Sequence, residues 1–148
     1  MKALNLANFI VSWCKEKGKP ISNLQLQKFL YFIQLKSIQI SGGKSAFIDP
    51  ARFEAWRFGP VISEVYYAFC LNGGSPIIET SAEAEVPLKE NIPNYVIDVI
   101  NKALDMDPWQ LVSISHREGG AWKSFYKDGY KKIMDNEAIK KYALSISI

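Results

Sequence analysis

The sequence predicts a mainly α-helical protein with a minor β component, folded as a single domain of about six helices around a buried central helix at residues 22–41. That stretch has a complete helix-start signal and apolar residues on two opposite faces, so both faces need cover. Apolar residues recur at helical spacing in most other segments. Only short stretches near 53–57 and 77–88 favour strands.

Composition limits the class of protein. The 148 residues match the size of one ordinary domain, which we expect to span 1–148. With a single His and no Cys-x-x-Cys pair, the sequence argues against a structural zinc site, and we expect no metal and no cofactor. Cys14 and Cys70 are expected to be buried thiols. We find no signal peptide and no membrane span, which predicts a cytoplasmic protein.

The first two helices are separated by clear punctuation. Residues 4–17 have an amphipathic pattern that Gly18 ends, and Pro20 prevents its continuation. Ser22 then suits the N-cap of the central helix, and Gln25 completes a capping box. Asp135 is expected to cap a last helix over about 136–144.

The middle of the chain divides into short elements. Aromatic residues favour a strand near 53–57, which Gly59-Pro60 ends. Pro60 suits the first turn of a following helix, because a proline needs no N–H there. The remaining predicted elements, in order, are a helix at 61–71, edge segments within 77–88, a helix near 93–105, one from Asp107-Pro108 to about 115, and a short one around 122–126.

Lys28 is an unusual charge on an apolar face of the central helix. Its stem could cover apolar surface while its ammonium reaches water. Alternatively, it forms an ion pair with a carboxylate, for which Glu54 and Glu64 qualify. The residues alone leave both interpretations open.

Catalytic groups are few. His116 is the only imidazole, and Ser115-His116-x-Glu118 places a hydroxyl, an imidazole and a carboxylate close in sequence. Catalytic triads, however, are assembled from distant segments. We therefore expect no catalytic residue and no enzyme, with a small hydrolase using His116 as the weakest hypothesis.

The aromatic residues raise a different possibility. Core packing is the default for the tryptophans beside turns, Trp56, Trp109 and Trp122. Tyr66 and Tyr67 are adjacent, so at least one should be exposed on a helix. With Arg57 and Arg117 they resemble the residues of protein-binding hot spots. Single-strand nucleic-acid surfaces use the same residue types. The basic ends of the chain keep a nucleic-acid-binding regulator as the alternative.

Three blocks of sequence resemble a known family. The first reads Ile-Ser-Asn-Leu-x-Leu-Gln-Lys-Phe-Leu-Tyr-Phe over 21–32, and the second reads Glu-Ala-Trp-Arg-Phe-Gly-Pro-Val over 54–61. The third comprises Leu111, Ser115-His116 and Trp122-Lys123. In order and spacing they resemble the Panacea domain, which includes SocA-like antitoxins and GepA-like phage-associated proteins. The resemblance covers about residues 4–142.

The resemblance implies a mainly helical domain that binds proteins without catalysis. It implies an antitoxin that neutralises a partner toxin in a bacterial or prophage toxin–antitoxin system, or a phage-associated accessory protein. The implied partners are a cognate toxin encoded next to it and, in some members, a protease. We do not expect promoter binding. The motif residues, which we expect to be mostly scaffold, are Leu26, Gln27, Lys28, Tyr31, Glu54, Trp56, Gly59, Pro60, His116 and Trp122; the partner surface would then lie outside the three blocks.

Overall fold

The computed structural model describes residues 1–117 and 120–146. Within these ranges the chain forms seven α-helices and one small antiparallel sheet, which confirms a mainly α fold with minor β. The helices are α1 (Ala3–Glu16), α2 (Asn23–Ile40), α3 (Ser63–Ala68), α4 (Asn94–Leu104), α5 (Pro108–Ser115), α6 (Ala121–Phe125) and α7 (Asn136–Ser145). The strands are β1 (Phe53–Trp56), β2 (Gly59–Ile62) and β3 (Lys132–Ile133).

Helix α2 is the centre of the fold, as its two apolar faces predict. Both hydrogen bonds of the capping box between Ser22 and Gln25 are present. Both apolar faces are covered, because α1, α3, α4, α5, α7 and β2 all contact this helix. Its largest apolar side chains, including Phe29, Leu30 and Ile33, are fully buried. The predicted caps Asp107 and Asp135 also hold the first turns of α5 and α7.

The sheet has the order β2-β1-β3. Strands β1 and β2 form a hairpin in which Phe53 pairs with Ile62 and Trp56 pairs with Gly59. Arg57 and Phe58 are therefore the two residues at the tip of the hairpin. Strand β3 adds to the other edge of β1 from far along the chain.

The prediction of strands within 77–88 is wrong. This stretch is a loop, followed by a 3-10 turn at Lys89–Asn91. Its main chain is held by α1 and by the α1–α2 connection instead of by a strand. Ile77 N–H donates to the Ile21 carbonyl at 2.8 Å, and the buried Asn8 side chain accepts from Ser81 N–H at 2.8 Å. Because these groups already have partners, the loop needs no β ladder.

Two neighbouring predictions also need correction. The helix predicted at 61–71 begins only at Ser63, because Pro60, Val61 and Ile62 belong to β2. Proline is tolerated in β2 because this strand lies at an edge of the sheet.

Cys14 is buried, as expected, and burial raises its pKa to about 12. Cys70, by contrast, is exposed, since it begins a 3-10 turn after α3 on the surface.

In the part of the chain that the structure describes, no helix combines the length and the apolar character that crossing a membrane would require.

Candidate partner-binding surface

Lys28 lies under the β1–β2 hairpin and is completely buried. Its Nζ donates a 2.9 Å hydrogen bond to the Pro60 carbonyl. Both interpretations of this residue were wrong: the amine does not reach water, and it forms no ion pair with Glu54 or Glu64. Glu54 instead accepts a 2.9 Å hydrogen bond from Trp56 Nε1. Burial lowers the pKa of the Lys28 amine to about 7.

Gly59 allows the hairpin to lie directly on Lys28 and α5. Its φ is +117°, a backbone region that favours glycine. A Cβ at this position would stand 2.6 Å from Ser115 Oγ and 2.7 Å from Lys28 Nζ. No side chain fits in this space, so the motif glycine is explained by close approach as well as by its φ.

A chain of amide hydrogen bonds joins α2 to the hairpin and to α3. Gln27 Oε1 accepts from Ile62 N–H at 2.9 Å, and its Nε2 donates to Asn23 Oδ1 at 3.0 Å. Asn23 Nδ2 then donates to the Tyr66 carbonyl at 3.0 Å. Buried amides that are satisfied in this way fix one geometry for the segments they connect.

The third sequence block supports the hairpin from the other side. The rings of His116 and Trp122 are stacked, with centroids 3.6 Å apart and planes within 5°. Tyr126 stacks on Trp122 with centroids 4.6 Å apart. Trp122 Nε1 donates to the Trp56 carbonyl at 2.7 Å, so this tryptophan is a brace for the end of β1.

His116 shows no triad geometry. Ser115 Oγ donates to the Val112 carbonyl at 2.8 Å instead of to the imidazole. The pKa of His116 is lowered by burial, and further by the charges of Lys28 and Lys123. Glu118, the acid of the sequence pattern, lies outside the described residues. Across residues 1–117 and 120–146, no cluster of His, Cys, Asp and Glu could hold a metal ion.

The motif residues therefore divide by location. Most lie inside the protein, which fits the scaffold hypothesis; the buried ones are Leu26, Gln27, Lys28, Tyr31, Gly59, Pro60 and Trp122. Trp56 is only half-buried, and the two residues that follow it, Arg57 and Phe58, are exposed. The inner side of the hairpin is thus fixed by the core, while its tip faces outward.

Around this tip, exposed and half-buried aromatic rings form a continuous patch. We call it the aromatic surface, and it consists of Trp56, Arg57, Phe58, Tyr66, Tyr67, Trp109, Tyr130 and Lys131. The ring centroids of Trp56 and Tyr66 lie 4.8 Å apart in an edge-on arrangement, and those of Phe58 and Trp109 lie 5.7 Å apart. Lys131 Nζ stands 4.1 Å from the Trp56 ring centroid. Trp109 is 60% exposed and Tyr67 is 58% exposed.

Trp56 and Arg57 together separate two clefts in this surface. One, of about 420 Å³, is shared with Phe58 and Tyr66. The other, of about 640 Å³, is shared with Tyr130 and Lys131. Trp56 and Arg57 line both clefts, and each cleft can receive a side chain of a partner.

The structure brings together most of the sequence-predicted binding residues. Arg57 and Tyr66 line one cleft, and Tyr67 lies against Tyr66. The expectation that at least one of the two tyrosines is exposed is confirmed by Tyr67. Arg117 does not join them: it follows the C-terminal end of α5, whereas Trp109 lies at the opposite end. The expected burial of Trp109 was wrong. Sequence reasoning also missed Phe58, although its place between Arg57 and a turn glycine was a signal for exposure.

Comparisons with known proteins agree with the motif analysis. The protein-family model described as "Antitoxin SocA-like, Panacea domain" matches residues 26–123. The chain is 32% identical over 127 residues to "Antitoxin SocA" of Caulobacter vibrioides (strain NA1000 / CB15N), an alignment that covers 79% of this chain and 66% of that relative. The chain thus spans about two thirds of the relative's length. No solved structure matches the chain significantly. This protein belongs to the SocA-like antitoxin family that carries the Panacea domain.

Proposed function

We propose that this protein is an antitoxin that neutralises a protein toxin by binding it, without catalysis. Family membership supports the role, since the matching family and the curated relative are both described as antitoxins. The observation that carries the binding mode is the aromatic surface around Arg57 and Phe58. Hot spots of protein interfaces are enriched in tryptophan, tyrosine and arginine, the residue types that meet here.

The chemistry of the surface indicates what its partner presents. Phe58, Tyr67 and Trp109 offer exposed apolar area, which favours an apolar or aromatic anchor on the toxin. Arg57 and Lys131 add positive charge beside the rings, which favours neighbouring carboxylates. The expected partner segment is therefore acidic and contains at least one large apolar side chain. If this protein is a phage-associated accessory protein instead, its partner would need the same acidic and apolar groups.

A nucleic-acid-binding regulator is the second candidate. The contact of Lys131 with the Trp56 ring favours it, because cations beside stacked aromatic rings also bind single strands. This candidate predicts binding that weakens steeply as the salt concentration rises. If neither DNA nor RNA binds at low salt, it is discarded.

The antitoxin proposal is tested by co-expression with the neighbouring reading frame. That frame should arrest growth when expressed alone, and this protein should restore growth. The combined Arg57→Glu and Phe58→Ser variant should lose rescue, whereas Leu88→Ser should keep it. Leu88 is a matched control because it is 62% exposed and lies outside the aromatic surface.

The level of the toxin separates two modes of neutralisation. Direct occlusion leaves the toxin abundant and bound to this protein. Delivery to a protease, the other partner that the family resemblance implies, lowers the toxin level in an energy-dependent way. If the neighbouring product is harmless and no partner is recovered with it, the antitoxin proposal is wrong. If rescue survives the double variant, the binding surface is wrong.

A further inference from the structure

A separate cleft lies between α2, α4, α5 and α7, and no residue of the aromatic surface lines it. Its volume is about 200 Å³. The described lining is mainly apolar and includes Phe32, Leu35, Val99, Met106 and Ile114. An apolar cavity of about 150 Å³ holds one benzene molecule, so this cleft has room for a small ligand.

Tyr31 gives the cleft a polar group without a partner. The side chain lines the cleft and is 1% exposed, yet its Oη has no hydrogen-bond partner among residues 1–117 and 120–146. Burial and the nearby Tyr142 phenol raise its pKa, and Tyr142 lines the same cleft. Buried polar groups are almost always hydrogen-bonded, and one that is not calls for an explanation.

The charged residues of the described lining are both basic. Lys102 and Arg117 line it, and both side chains are exposed. The described lining residues include no carboxylate. Lysine and arginine form their strongest hydrogen bonds with anionic oxygens, and an arginine can hold a carboxylate with two of them.

We propose that this cleft binds a small carboxylate with an apolar body, either a single aromatic ring or a short acyl chain. The apolar body occupies the space between Phe32, Val99 and Met106. The carboxylate is held by Arg117 and Lys102. One carboxylate oxygen supplies the buried Tyr31 hydroxyl with its missing partner. This site does not depend on the antitoxin role, because it uses none of the aromatic surface.

The test uses benzoate and hexanoate as probes, which represent the aromatic and the acyl source, and the neutral amide benzamide as a control. Thermal unfolding of the full chain is measured over a range of concentrations. We expect at least one carboxylate to raise Tm in a saturable way, because a ligand that binds only the folded state stabilises it. Benzamide should produce a much smaller shift. If neither carboxylate raises Tm, or if benzamide does so equally, the proposal is overturned.

Variants locate the binding. Arg117→Gln, at an exposed position, should weaken carboxylate affinity roughly tenfold through the loss of a charged hydrogen bond. Val99→Phe should abolish binding by filling the cleft, whereas Val86→Phe, on the exposed 75–90 loop, should leave it unchanged. Amide chemical shifts should change in α2, α4, α5 and α7. Full binding to both Arg117→Gln and Val99→Phe, or shifts confined to other helices, would overturn the assignment.

Discussion

Lys28 Nζ and the Pro60 carbonyl oxygen lie 2.9 Å apart, and this hydrogen bond joins the centre of α2 to the β1–β2 hairpin. The acceptor is a neutral main-chain group, and no carboxylate in the described part of the chain pairs with the amine to offset its burial. This explains why burial lowers the pKa of Lys28 so far. The hairpin is thereby coupled to the protonation of a residue in the core.

Lys28 should make stability depend on pH. The amine has an ordinary pKa of 10.5 and a folded-state pKa of about 7. Between these values the unfolded chain binds the extra proton, so the free energy of unfolding rises with pH. Relative to Lys28→Met, the wild-type free energy of unfolding should rise by about 1 kcal/mol per pH unit from 7.5 to 8.5.

Urea unfolding at several pH values measures this difference. Lys15→Met, at an exposed position of α1, is the matched control and should follow the wild-type curve. Parallel curves for wild type and Lys28→Met would show that the buried amine keeps its ordinary titration.

Gly59→Ala should destabilise the protein strongly. The new methyl group would meet Ser115 Oγ and Lys28 at less than 3 Å, and the φ of +117° is strained for alanine. We expect a loss of about 2–4 kcal/mol in the free energy of unfolding. Gly74→Ala is the control, because nothing lies within 4 Å of the Cβ it would add. Equal stability of the two variants in denaturant unfolding would contradict the close approach.

Asn8→Leu should release the 75–90 loop. The Asn8 side chain accepts from Ser81 N–H and donates to the carbonyls of Ser81 and Ala84. Leucine leaves these groups without partners, which should destabilise the protein by about 1–3 kcal/mol. Limited proteolysis should then cut first within 75–90, while Asn5→Leu, on the half-buried side of α1, serves as the control. Unchanged cleavage would show that Asn8 does not hold the loop.

Tyr31→Phe should leave stability unchanged or slightly improved. The change removes a buried hydroxyl that has no partner among the described residues. It keeps the ring, which lies edge-on to Phe53 with the ring centroids 5.4 Å apart. We expect a change within about 1 kcal/mol. Tyr31→Ala, which also loses the ring, should cost about 3–5 kcal/mol. A large loss in Tyr31→Phe, measured by thermal unfolding, would mean that the hydroxyl has a partner in solution.

Changes at the tip of the hairpin should separate binding from stability. Arg57→Ala and Phe58→Ala each remove an exposed side chain, so the free energy of unfolding should change by less than about 0.5 kcal/mol. If the aromatic surface binds the toxin, each should weaken that complex at least tenfold, which is about 1.4 kcal/mol. Calorimetric titration and thermal unfolding give both numbers. A loss of unfolding free energy as large as the loss of binding free energy would assign these residues to the scaffold.

Local signals in the sequence were sufficient for much of the fold. The capping box of Ser22 and Gln25 and the caps Asp107 and Asp135 act within one turn, so adjacent residues predict them. The two apolar faces of α2 likewise predicted its central position. The first two family motifs were readable because their residues are nearly all consecutive in the chain.

The errors share a physical cause, which is contact between distant residues. The 77–88 loop is bonded at Ser81 by the side chain of Asn8, which lies 73 residues away in the sequence. The β propensity of the loop therefore did not lead to pairing with a strand. The partner of Lys28 is a carbonyl, and a search for complementary charges cannot find it. The aromatic surface arises only when the hairpin, α3, α5 and the segment before β3 come together.

Neighbouring residues of the β1–β2 hairpin are under separate control. Gly59 and Pro60 are buried; Lys28 and Ser115 leave no room for a side chain at Gly59, and Lys28 Nζ is bonded to the Pro60 carbonyl. Arg57 and Phe58 face outward and contribute little to the core. Partner recognition could therefore diverge by substitution at these two positions while the fold stays constant. In protein engineering terms, if the aromatic surface binds the toxin, randomising the hairpin tip should yield binders for different toxins from a single scaffold.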